Sequence, residues 1–177
     1  MASINNVQLD ISIDCEDWTQ ELPNYQNLIE NCIAEITKHV LEGRALSNFS
    51  HIEVSVVLCS DDLIHQLNHD YREKDKATNV LSFCGLDEEE INNYLKNSNK
   101  PKNRPFSLGE IYIAYETMNK ESQEASISLS NHFRHLIIHG ILHLLGYDHV
   151  NDDDAEIMEA LETSLLKNLG IDDPYAA

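Results

Sequence analysis

His139-Gly140-Ile141-Leu142-His143-Leu144-Leu145-Gly146-Tyr147-Asp148-His149 is the stretch from which the rest of the chain is read. His139 and His143 are four residues apart. On a helix that spacing stacks both side chains on one face, one turn apart. Two neutral imidazoles so placed can fill two coordination positions of one metal ion. Gly146 tolerates positive φ and can end the helix, so that the chain turns back and delivers His149 as a third ligand. Three protein ligands leave a fourth position for water or substrate, the arrangement of a catalytic zinc.

The spacing matches the metzincin pattern H-E-x-x-H-x-x-G-x-x-H, except that Gly140 stands where the glutamate belongs. That glutamate is the general base of a metalloprotease. The ligand geometry without the base points to metal-dependent hydrolysis of something other than a peptide. Two plainer readings compete: solvated or core-satisfied histidines, and a structural zinc. The second would use four ligands and usually cysteine. An all-imidazole set suits zinc, although nickel or cobalt would also accept it.

Around this motif the chain has 177 residues, enough for one domain spanning 1–177, and 42% of them are apolar. Twelve Lys and Arg against 31 Asp and Glu give 12 − 31 = −19. So acidic a chain is not a general nucleic-acid coat or a binder of anionic membranes. Met1 to Trp18 lacks a basic segment followed by an apolar run, and Leu136 to Leu145 is too short to span a bilayer. Cys15, Cys32, Cys59 and Cys84 form no C-x-x-C pair and read as reduced thiols of a cytoplasmic protein.

In chain order, Val7, Leu9, Ile11 and Ile13 alternate as a first strand. Pro23 opens a helix to about Leu41, which Gly43 closes. Ile52 to Leu58 alternate as a second strand, and Ser60 caps a short helix with Asp61 and Asp62 in its first turn. His65 and His69 on that helix mimic a metal pair, but no third ligand follows at a useful distance, so they read as exposed. Asn79 to Phe83 is a third strand and Leu108 to Tyr115 a fourth. Between them Asp87 to Arg104 reads as an insertion, flexible from Asn92, with Lys96, Lys100, Lys102 and Arg104 as a basic cluster. Glu116 to Ser126 reads as a polar helix. Ser130 is the candidate cap of a central helix over 131–145, with Phe133, Ile137, Ile141 and Leu144 inward and His132, His135, His139 and His143 on the opposite stripe. Asn151 starts a last helix whose Ile157, Leu161 and Leu165 turn inward and which Gly170 ends. The total is an α+β fold with a mixed four-stranded sheet.

Two further groups carry chemistry. Arg72, Lys74 and Lys76 are the densest cations; Arg72 either forks onto phosphate oxygens or pairs with Glu73 or Asp75. His135, one turn before His139, is either a group behind the ligands and proton carrier or merely partly exposed. Asp148 either orients a ligand or caps a turn.

The histidine motif resembles the signature of the YbeY family, bacterial endoribonucleases linked to rRNA maturation. Tyr71-Arg72-x-Lys74-Asp75-Lys76-x-Thr78-x-Val80-Leu81-Ser82-Phe83, Leu108-Gly109-Glu110-Ile111 and the tail Leu169 to Tyr175 are similar to further family segments, so the resemblance covers about residues 50–175. Asn79 and Glu110 depart from the family's usual aspartates, and the 87–104 segment is longer than is typical. The resemblance implies that His139, His143 and His149 bind one zinc and that Arg72 is the functional arginine, with His135 at a position the family usually gives to histidine. It implies single-stranded RNA rather than DNA as substrate, notably the 3′ end of small-subunit rRNA, and makes a ribosomal small-subunit protein partner plausible. Besides a metalloprotease, a non-catalytic zinc-containing ribosome-assembly factor is the alternative.

Overall fold

The computed structural model describes residues 6–97 and 105–176. The four expected strands are β1 (Val7–Ile13), β2 (Ile52–Cys59), β3 (Val80–Cys84) and β4 (Phe106–Ala114). They pair in the order β1-β2-β4-β3, with β1/β2 and β2/β4 parallel and β3/β4 antiparallel. A parallel pair needs a long crossover. Helices α1 (Asp17–Glu21), α2 (Tyr25–His39) and α3 (Leu41–Ala45) form the crossover between β1 and β2.

Alternation decides which face of the sheet is buried. Ile52, Val54, Val56 and Leu58 of β2 point into the main core with Ile111 and Ile113 of β4. In β4 the parity changes once. Glu53 pairs with Ser107 and Val54 with Gly109, so Leu108 is an extra residue, a bulge that turns it to the same face. Gly109, at φ +138°, permits this; a Cβ there would collide with Phe83 O and lie 2.7 Å from Leu144 Cδ2.

Helices α2 and α7 (Leu129–Leu144) cover that face, and α8 (Asp152–Asn168) packs on both of them. The opposite face is covered in part by α4 (Asp61–Arg72), through a small cluster of Cys59, Ile64, Leu81 and Ala114. α6 (Tyr115–Glu124) follows β4 directly and packs on α7.

Several expected boundaries move. Gly43 does not stop the second helix. The chain breaks at Val40 and restarts, and Gly43 lies inside α3 where a Cβ would collide with the carbonyl of Ile36. The central helix is capped by Ser128, not Ser130: Ser128 Oγ accepts from Asn131 N at 3.2 Å. The segment expected to be flexible from Asn92 is helical as far as Lys96. Glu88–Glu90 (α5), under an Asp87–Glu90 capping box, runs into a wider turn over Ile91–Lys96, with Ile91 and Leu95 buried. The rest of its basic cluster, Lys100, Lys102 and Arg104, lies outside the described residues.

Candidate metal centre and adjoining groove

α7 buries a broad apolar face beneath its histidine stripe. Leu136, Ile137, Ile138, Ile141, Leu142 and Leu144 are all buried, so its inward face is wider than the single stripe expected. It packs tightly on the sheet at Gly140. A Cβ there would meet Ile111 side-chain carbons at 3.0 Å and Ser82 Oγ at 3.2 Å. The residue in the position of the metalloprotease base is therefore pressed against β3 and β4, and a glutamate does not fit there without displacing them.

The histidine stripe of α7 is enclosed rather than solvated. Side-chain exposure is 11% for His132, 16% for His135 and 22% for His139. The helix ends at the expected glycine: Gly146 has φ +98°, its N–H donates to His143 O, and Tyr147 N–H donates to Leu142 O, each at 3.0 Å. That closure is the 6→1 and 5→2 pattern of a glycine-ended helix. It turns His149 back so that one ring nitrogen each of His139, His143 and His149 lies within 4.8 Å of the others. Asp148 caps this turn, accepting His149 N–H at 2.7 Å, rather than orienting an imidazole.

The tautomers follow from the partners. His143 Nδ1 is 2.9 Å from the carbonyl of Tyr147, which can only accept, so Nδ1 carries the proton. His139 Nδ1 is 2.6 Å from Glu162 Oε1. Both Nε2 lone pairs therefore face each other, 3.1 Å apart. Two lone pairs at that distance repel unless a cation sits between them. Two nitrogens on one tetrahedral zinc would stand about 3.3 Å apart. The donor set thus fits a metal ion. Burial, with the neighbouring His139 and His149 rings, pushes the His143 imidazole down to about 4, so it is neutral at physiological pH, as a ligand must be.

Glu162 was not anticipated. The last helix buries Met158, Glu162, Leu165 and Leu166, while Ile157, expected inward, is 54% exposed. Glu162 Oε1 accepts from His139, and its Oε2 accepts from His135 Nε2 at 2.8 Å and from the Tyr175 hydroxyl. Burial opposes ionisation of this carboxyl, but those three donors outweigh it and hold it near 2. The one available signal was a charged residue four places from both Met158 and Leu166 on an apolar stripe. His135 is thereby placed behind His139 and outside the groove lining.

The open side of the triad is a groove of about 620 Å³, whose lining includes His139, His143 and His149 together with Arg72, Lys74 and Lys76. Arg72 ends α4. Glu73 after it adopts a left-handed conformation (φ 56°), and buried Asn68 donates to Lys76 O at 2.8 Å, strapping the cationic loop in place. Arg72 Nη2 donates to Ser82 O at 3.3 Å. The expected alternative, a surface pair with Glu73 or Asp75, is not present among the described residues; Asp75 is held by His65 at 2.7 Å. Cys84 lines the groove, but its thiol donates to His143 O at 3.4 Å and it is not one of the convergent donors.

An open three-histidine group in one groove with three cationic side chains, on an α+β sheet, defines a metal-competent protein with the layout of a hydrolase. Comparison with known proteins narrows the class. The family model for endoribonuclease YbeY matches residues 12–170. A protein of Paramagnetospirillum magneticum named endoribonuclease YbeY is 39% identical over 169 residues, 96% of each chain. One of Bradyrhizobium diazoefficiens with the same name is 42% identical over 176 residues, 99% of this chain and 89% of that one. A solution structure of a Thermotoga maritima protein superposes with a TM-score of 0.50 at 24% identity, covering 96% of this chain and all of that one; it shares the fold. The chain belongs to the YbeY endoribonuclease family. No described helix is long and apolar enough to cross a membrane.

Proposed function

We propose that this protein is a zinc-dependent endoribonuclease that cuts single-stranded RNA during rRNA processing, notably at the 3′ end of small-subunit rRNA. The relatives' names support the endoribonuclease activity. The observation that carries the mechanism is the groove, which three metal-competent histidines and an arginine line together.

His139, His143 and His149 hold the metal, and three imidazoles favour zinc over magnesium or calcium. A bound zinc supplies Lewis acidity and draws the pKa of a water it holds from about 15.7 toward 7. Arg72, fixed by its bond to Ser82 O, offers its remaining N–H groups to the phosphate oxygens on which charge builds. Lys74 and Lys76 extend the cationic track for the flanking backbone. With Gly140 in place of a glutamate, no carboxylate base is supplied from that position. His135 serves from behind His139 rather than on the substrate.

A chain of net charge −19 repels RNA except along this groove, which favours delivery of the substrate by a basic partner such as a ribosomal small-subunit protein.

The test is cleavage of a single-stranded fragment of the small-subunit rRNA 3′ end against the same fragment held in a duplex, by zinc-loaded wild type and Arg72→Ala. Wild type is expected to cut the single strand alone. Arg72→Ala is expected to keep its metal and lose activity. Zinc-loaded wild type that cuts neither substrate overturns the proposal in favour of an assembly factor without catalysis.

A further inference from the structure

Behind His139, on the side away from the groove, lies a buried carboxylate network that reaches to the C-terminal tail. Glu162 is fully buried, and its two oxygens take three donors: His139 Nδ1 on Oε1, His135 Nε2 and the Tyr175 hydroxyl on Oε2. The tail is folded onto α8 to make the last of these. Asp173 Oδ1 accepts from Thr163 Oγ1 at 3.1 Å and from Tyr175 N–H at 2.8 Å, which sets the tyrosine over Glu162. The Tyr175 hydroxyl also stands 3.2 Å from His135 Nε2, and the two rings meet edge to face, with centroids 5.5 Å apart.

A buried charge must be held on every side or it destabilises the fold. Packing alone would place a leucine at position 162, in line with Met158, Leu165 and Leu166. The charge is instead aimed at the Nδ1 of one histidine of the triad. A carboxylate there fixes the tautomer and ring plane and raises the basicity of Nε2. Of the other two histidines, His143 has a backbone carbonyl in this role and His149 is exposed. Among the described residues, His139 is thus the one of the three whose outer partner is a charge.

We propose that Glu162 is a positioning residue for the metal, and that Tyr175, by holding Glu162, lets the C-terminal tail set metal affinity. This rests on the reading of His139, His143 and His149 as ligands. The other components serve the same end: His135 neutralises no charge in the groove but holds the second oxygen of Glu162 so that the first stays on His139.

The test uses the full chain and Co²⁺ as probe. Dissociation constants are measured by chelator competition, and the visible absorption of the bound ion reports ligand geometry, for wild type, Glu162→Gln, Tyr175→Phe and His143→Ala. Thermal unfolding of the metal-free proteins is run in parallel. Glu162→Gln is expected to weaken Co²⁺ binding about 10–100-fold and to alter the absorption spectrum. Tyr175→Phe, which removes one hydroxyl from a side chain 42% exposed, is expected to unfold like wild type and to bind Co²⁺ measurably more weakly. Wild-type affinity in a folded Tyr175→Phe together with a wild-type spectrum in Glu162→Gln overturns the inference, as does a lowered unfolding temperature with no change in affinity. Should Glu162→Gln not fold, Tyr175→Phe decides alone. If His143→Ala binds as tightly as wild type, the ligand reading itself fails, a separate outcome.

Discussion

His65 and His69 on α4 have the same four-residue spacing as His139 and His143 on α7, and the two pairs have different fates. On α4 each imidazole is solvated, 45% and 63% exposed, and each turns to a nearby carboxylate, His65 to Asp75 and His69 to Asp70. On α7 each Nδ1 is committed to an acceptor in the protein, so both Nε2 atoms are left pointing at one spot. A glycine turn adds a third nitrogen to that spot. Helical spacing brings two histidines onto one face; it takes enclosed acceptors behind them and a returning chain to make them a site. α4 contributes to the same groove by another route, through Arg72 at its end.

The largest effect expected from breaking this asymmetry is on cleavage. His143→Ala should reduce single-stranded RNA cleavage to background, whereas a His65→Ala/His69→Ala double variant should cut at the wild-type rate. Turnover of a labelled RNA oligonucleotide by both proteins checks this. Next is the contribution of α4 itself. Arg72→Ala should lower kcat/KM about 10²-fold, the usual loss for one preorganised donor to a developing oxyanion. Metal content should be unchanged, read by elemental analysis of the same sample.

A third variant removes the turn instead of a ligand. Gly146 sits at φ +98°, and a Cβ there would meet Ile91 Cγ2 at 3.0 Å. Gly146→Ala should therefore cost about 1–2 kcal/mol of stability for the backbone conformation alone. It should also weaken metal binding through displacement of His149, which denaturant titration and chelator competition separate. The smallest effect is at the start of the helix that carries Glu162. Asn151 Oδ1 accepts Asp154 N–H at 2.9 Å, and Asn151→Ala should cost about 1 kcal/mol in denaturant titration.

Much of this was legible in the sequence. The four strands, the glycine-ended helix and the triad were readable because each is local: alternation, one conformationally permissive residue, and a fixed spacing. The rest depended on packing across the chain. Ser128 and Ser130 are equivalent as caps until the tertiary structure selects the first. Leu108 reaches the core through a bulge that alternation cannot express. Glu162 lies 23 residues from the histidine it holds, and on α8 the buried stripe takes in Met158 and Glu162 instead of Ile157, while Leu161 and Leu165 pack inward as their spacing predicts. Asn68, which straps the cationic loop, carries no motif at all.

The central claim is that one of two identically spaced histidine pairs, with His149, holds the metal. The most direct measurement is zinc stoichiometry, by native mass spectrometry, of wild type and the two double variants. One zinc per chain in wild type and His65→Ala/His69→Ala, with none in His139→Ala/His143→Ala, is the predicted result. Zinc retained at one equivalent by His139→Ala/His143→Ala would contradict the account.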